Sequence, residues 1–165
     1  MTALVGAGWG PPLVAAVAAV LVAVAGALAT TTDDWYRSLR FPAWKPPDWA
    51  FGPVWTVIFS LTATSGVLAW NADPTPGARA LVIGAFTANG ILNIAWSVMF
   101  FRLRRPDWAL IEVGMLWLSI ALIIITAGRI SLAAALLNLP YLAWVSVAAC
   151  LNLAIVRLNP ALRRA

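Results

Sequence analysis

The residues with any chemistry to offer are a few amides, one intramembrane carboxyl and a set of indole and phenol rings. Asn89, Asn93 and Trp96 follow spacings of four and three, and Tyr141, Trp144, Ala148 and Asn152 follow three, four and four, so each set lines one face of a helix. Trp55 and Glu112 stand in two further apolar runs. Polar groups at such positions avoid lipid, and rings with a few amides and one carboxyl make a pocket wall that stacks on and hydrogen-bonds a ligand. No His and a single Cys exclude His/Cys zinc sites, Ser-His-Asp and Cys-His catalysis, His-ligated haem and an intrachain disulfide framework. Plainer roles fit the same residues. The asparagines suit hydrogen bonds between helices, worth around 0.6 kcal/mol apiece, and Glu112 suits an ion pair with Arg102 or Arg105. Trp9, Trp70 and Trp108 sit where interfacial belts place tryptophan, whereas Trp55, Trp96 and Trp144 lie deeper. Cys150 reads as an inert, buried small packer.

The elements that must position these residues follow from composition. With 62% of 165 residues in the set AVILMFWYC, 10% charged and a mean hydropathy of +0.88, the chain has too much apolar surface for one soluble core. At roughly 20 apolar residues per crossing, five helices need about 100 residues. The runs are 11–29, 51–70, 78–101, 108–127 and 132–158, with Pro140 inside the last as an expected kink. They are too long for barrel strands and show no period of two. The fold class is therefore an all-α integral membrane protein, a five-transmembrane-helix bundle forming a single domain over 1–165. A cleaved leader ending at Ala27-Leu28-Ala29 is disfavoured, because no Lys or Arg precedes the first run. The net charge of +5 does not form a stripe for nucleic acid. Arg37, Arg40, Lys45, Arg102, Arg104, Arg105, Arg157, Arg163 and Arg164 fall on one side, against Arg79 and Arg129 on the other. That asymmetry predicts an outside N-terminus, with the first loop and the C-terminus cytoplasmic. Trp55, Asn89, Asn93, Glu112 and Asn152 then share the cytoplasmic half of the membrane.

The first loop, residues 30–50, is the longest. Within residues 41–51, Pro42, Pro46 and Pro47 stiffen an extended segment that carries Trp44 and Trp49. Such a segment is expected to lie as a lid on the cytoplasmic mouth, with Arg37, Arg40 and Lys45 around its rim. A planar, apolar ligand with peripheral carboxylates suits that site.

Trp35-Tyr36, Pro42-x-Trp44-x-Pro46-Pro47, Val54-Trp55, Asn89-x-x-x-Asn93-x-x-Trp96, Phe100-Phe101, Leu139-Pro140-Tyr141-Leu142-x-Trp144 and Leu151-Asn152 resemble the TspO/MBR family, the tryptophan-rich sensory proteins and translocator proteins of the peripheral benzodiazepine receptor group. The resemblance runs over about residues 10 to 160. It implies five membrane helices, frequent homodimers in bacteria, and binding of protoporphyrin IX-type tetrapyrroles, with cholesterol and benzodiazepine-type ligands in animal members. It places the pocket under the first loop, with Trp55 and Trp144 as pocket tryptophans, Asn89 as pocket amide, Tyr36 as the loop tyrosine, Glu112 as the fourth-helix acid and Ala148 as a small lining residue. Sterol binding is doubtful here: the stretch from Leu151 to Arg157 lacks the Tyr of the animal sterol pattern.

No cofactor is required on this reading, and no metal site is expected. The scarcity of axial ligands favours metal-free porphyrin over haem. Ala80, Gly84 and Ala88 form a small-residue strip that suits a dimer interface, or equally packing within one bundle. The leading reading is a tetrapyrrole sensor, regulator or carrier with membrane lipids as neighbours. A photo-oxidative porphyrin-degrading enzyme using Trp55 and Trp144 is one alternative, and a small-molecule transporter is another.

Overall fold

The computed structural model describes residues 8–160 and is helical throughout, with no strand among them. Helix α1 (Gly10–Ala29) opens on Pro11-Pro12, whose missing N–H groups cost nothing at a helix start. The first loop contains a one-turn helix, α2 (Asp34–Ser38), absent from the sequence expectation; Asp33 caps it by accepting from the Tyr36 N–H at 3.1 Å. Then come α3 (Asp48–Ala72), α4 (Pro76–Ser97), α5 (Pro106–Ile130), α6 (Leu132–Leu136) and α7 (Leu139–Leu158). Five helical segments are long and apolar enough to cross a membrane, and the protein is an integral multi-pass membrane protein.

Two spans depart from the simple pattern. The third continues from α4 into a π-helical turn, Val98–Arg102. The fifth is broken, not kinked. Pro140 falls in the first turn of α7, where it leaves no donor missing, and the chain turns at Leu137-Asn138 instead. Buried Asn138 fills the break: its Nδ2 donates to the Ala134 carbonyl at 3.0 Å and to Ser65 Oγ at 2.7 Å, while Ser65 donates to the same carbonyl at 2.7 Å. In lipid these backbone groups have no water to turn to, so side chains must satisfy them.

The spans close a ring in the order α1, α3, α6/α7, α5, α4 and back to α1. Helix α5 and the fifth span are the most enclosed, whereas α1 buries only Ala29. Helix α1 comes close to α4 at Gly90, where an added Cβ would stand 3.0 Å from Val22 Cγ2. Three apolar cores follow one another through the membrane. Tyr36, Leu39, Phe100, Ala109, Leu151 and Ile155 pack under the first loop. Ile58, Val113, Leu116, Ile120, Tyr141 and Val145 fill the centre, and Ala69, Ala127 and Ala134 lie toward the far face. Arg163 and Arg164, used above to orient the chain, lie outside the described residues.

Candidate functional site

The asparagines face inward and each finds a partner on another helix. Asn93 Nδ2 donates to the Tyr141 hydroxyl at 3.0 Å and Asn89 Nδ2 to Ser119 Oγ at 2.9 Å. Asn152 accepts from Trp96 Nε1 at 3.1 Å and donates to the Pro106 carbonyl at 2.7 Å. The interhelical role thus holds for all three. Glu112 is different. It is 1% exposed, and neither carboxyl oxygen has a hydrogen-bond partner among the described residues. The ion pair expected with Arg102 or Arg105 does not form, because Arg105 holds Asp107 in a two-bond contact at 2.6 and 2.9 Å and Arg102 donates to the Leu28 carbonyl. A buried carboxyl with no partner is rare, since it forfeits hydration with nothing in return.

The rings converge from α3, α4, α7 and the loop. Trp55 stacks on Phe59 with centroids 5.2 Å apart and meets Tyr141 edge-on at 5.8 Å. Phe51 meets Trp144 edge-on at 5.5 Å. Trp96 stacks on Phe100 at 5.3 Å, and Phe100 lies 4.8 Å from Phe101. The loop adds Tyr36, 5.0 Å from Phe41 and 5.7 Å from Phe101. These are the offset and edge geometries that ring quadrupoles favour.

The lid is built from other residues than its tryptophans. Trp44 and Trp49 are 52% and 75% exposed and turn away from the bundle. Two helical residues rotate the chain by about 200°, so Trp49 points opposite to Phe51, which faces Trp144. In the loop Phe41 and Lys45 take the inward positions instead. The Lys45 ammonium lies 4.8 Å from the Phe41 centroid and 5.5 Å from that of Tyr36, and pairs with Asp48, which also accepts from the Tyr36 hydroxyl at 3.2 Å. Burial pushes the Tyr36 phenol above its usual range. Burial also opposes the charge on Lys45, but hydrogen bonds to Asp48 and Tyr36 prevail and hold it above the ordinary lysine value. The backbone N–H of Tyr36, assisted by Arg104 at 2.9 Å, holds Asp33 below the usual carboxylate range. Pro46 is half-buried and Pro47 exposed, the latter as the N-cap of α3.

Open space lies beside this cluster, not in it. A groove of about 520 Å³ runs along the seam of α3 and α7, lined by Pro53, Val54, Ala143 and Trp144 among others. A larger hollow, about 690 Å³, lies between α1, α3 and α4, and of the candidate residues only Asn89 and Tyr141 reach it. The single recess expected under the lid is therefore divided, with Trp55, Phe59 and Tyr141 packed together where it would have been continuous. Trp55, Asn93, Trp96, Glu112 and Asn152 line neither space, and Ala148 is half-buried on α7. Ala80, Gly84 and Ala88 are exposed on the outer face of α4, and nothing lies within 4 Å of a Cβ built at Gly84, so packing inside the bundle does not account for this strip. Cys150 is exposed as well, not buried as expected, because its position on α7 is rotated away from the inward Tyr141–Asn152 face. Sequence reasoning missed Phe41, Phe51, Ser119 and the Ser65–Asn138 pair. The only signal for the last was a pair of polar residues inside apolar runs.

Comparison with known proteins bears on what this arrangement is for. The TspO/MBR family model matches residues 13–158. The tryptophan-rich protein TspO of Archaeoglobus fulgidus is 37% identical over 89% of this chain and 96% of its own length. That of Chlorobaculum tepidum is 36% identical over 76% of this chain and 80% of its own. The translocator protein of Homo sapiens is 34% identical over 76% and 75% respectively.

Proposed function

The chain belongs to the TspO/MBR family, and from that premise we propose that it is a membrane receptor or carrier for a metal-free tetrapyrrole of the protoporphyrin IX type, held at the seam of α3 and α7. One observation carries the reading: the rings of Phe51, Trp55, Tyr141 and Trp144 meet in edge contacts at this seam, and Glu112 is buried nearby on α5 with both oxygens unpartnered. Trp144 borders the groove, and parting Phe51 from it opens the groove toward the core. A macrocycle entering there stacks on Trp55 and Trp144, and its pyrrole N–H groups give the Glu112 carboxyl the partner it lacks. Haem offers no such N–H. Its usual axial ligands are also missing, since Cys150 faces outward, Met115 is exposed and Met99 packs in the core beneath the loop. Arg37 and Arg40, exposed on the loop, meet the propionates.

The charge asymmetry supports a cytoplasmic position for that loop. The outward strip of Ala80, Gly84 and Ala88 is the face on which a second copy packs as a homodimer. Benzodiazepine-type ligands, being flat and apolar, fit the same seam, whereas sterol is not proposed.

Titrating the purified protein in detergent with protoporphyrin IX, haem and cholesterol side by side tests the reading through quenching of tryptophan fluorescence. Protoporphyrin binds most tightly. Trp144→Ala weakens it by about tenfold, the loss of about 1.4 kcal/mol of ring contact, and Glu112→Gln weakens it while narrowing the preference over haem. Equal affinity for wild type and both variants would overturn the site.

A further inference from the structure

The hollow between α1, α3 and α4 meets the tetrapyrrole seam only at Tyr141, yet its form is that of a binding site. Its lining runs from Gly10 to Val22 on α1, from Phe59 to Trp70 on α3 and from Val82 to Ile94 on α4. At 1.5 Å per residue each stretch is about 16–18 Å long, close to half the ~30 Å hydrocarbon core and so to the depth of one leaflet. An extended hydrocarbon chain can lie lengthwise in this space between the three helices. The walls are almost wholly apolar, and besides Trp70 the only polar side chains among the lining residues are Thr62, Thr87, Asn89 and Tyr141.

The other end carries a charge. Trp70 forms part of the lining at the membrane face opposite the first loop, and the Arg79 guanidinium stacks on its ring at 4.5 Å. Arg79 makes no ion pair with a described residue, and its Nε is buried without a hydrogen-bond partner. The nearby Asp73 carboxylate accepts from the Thr75 N–H at 2.9 Å and acts on Arg79 through space without forming an ion pair with it. A half-buried cation with no ion-pair partner among the described residues, stacked on a ring at the mouth of an apolar channel one leaflet deep, is complementary to one class of molecule. We propose that this hollow binds a long-chain fatty acid, its tail between α1, α3 and α4 and its carboxylate against Arg79.

The test uses the full-length protein in phosphatidylcholine nanodiscs and a palmitate analogue bearing a photoreactive diazirine near its methyl end, with labelled peptides mapped by mass spectrometry. Label is expected on the lining stretches of α1, α3 and α4, competed by unlabelled palmitate and at least a hundredfold less well by octanoate, which lacks eight methylenes. Arg79→Gln lowers competition by palmitate about fivefold, the worth of one interfacial cation, and leaves competition by hexadecanol unchanged. Ala63→Phe fills the channel and abolishes labelling there. Ala18→Phe, entering from the sparsely packed α1, does the same should the first variant fail to fold. Trp144→Phe leaves labelling intact, which separates this site from the tetrapyrrole seam. Label spread evenly over the outward faces of the bundle, or unchanged labelling in the folded filling variants, would overturn the proposal. So would a diazirine-bearing phosphatidylglycerol that labels the lining as well as palmitate does, because the occupant would then be bulk lipid.

Discussion

Beneath the first loop, α3, α4, α5 and α7 close on one another through rings and amides, whereas toward the opposite face α1, α3 and α4 stand apart around about 690 Å³ of open space. Both regions are apolar, so hydropathy alone does not distinguish them. Side-chain size and polarity do. The filled half carries Trp55, Trp96, Phe100, Tyr141 and three paired asparagines. The hollow half carries Ala15, Ala18, Ala19, Ala63 and Gly66. In water such a gap would tend to collapse, because its walls are expelled from solvent. In a bilayer the surrounding tails are as apolar as the walls, so helices draw together only through packing and polar contacts. Where small residues supply neither, the space stays open.

Truncating one large side chain in each half should separate the two regions most strongly. Ile120→Ala, at a fully buried position in the central core, is expected to cost about 2 kcal/mol or more. Phe86→Ala, which already borders open space, is expected to cost under about 1 kcal/mol. Reversible unfolding in mixed micelles reads both, and equal losses would mean that the two halves are packed alike. Next in size is Asn138→Ala. It removes two hydrogen bonds at the break in the fifth span and should destabilise by about 1–2 kcal/mol, with faster amide exchange across 134–138 but not across 148–152.

A smaller effect concerns the loop. Tyr36 and Lys45 are both held above their ordinary values, so each favours its protonated form in the folded cap. Their contribution is complete below about pH 10 and is lost as pH rises through the raised values. Proteolysis of residues 39–47 should therefore quicken at alkaline pH while the membrane helices stay intact, and Lys45→Met should flatten that profile. The smallest change is expected at Gly84→Leu. Nothing stands near this position within the bundle, so the stability of one chain should move by less than about 0.5 kcal/mol. A dimer packed on this strip should dissociate, as read by chemical crosslinking.

Much of this architecture was legible beforehand. The five spans, the inward faces of α4 and α7 and the depth of Glu112 all follow from periodicity, because an apolar solvent forces whole-helix crossings and drives amides inward. The lid was half legible. Its prolines fix an extended chain, but which rings it turns inward depends on where α3 begins, and that start sends Trp49 out and Phe51 in. The partners of the polar residues were not legible. Asn89 with Ser119, Trp96 with Asn152 and Asn138 with Ser65 join residues that are 30, 56 and 73 positions apart.

The sequence by itself determined that the chain crosses a membrane five times, which faces of its helices look inward and which family it belongs to, since each depends on residue type and local spacing. The tertiary structure decided that Glu112 has no partner, that the aromatic residues fill their half of the bundle and that a channel opens on the other side of Tyr141. Those outcomes depend on how side chains of unequal size meet across helices, and no local pattern encodes the fit between distant surfaces.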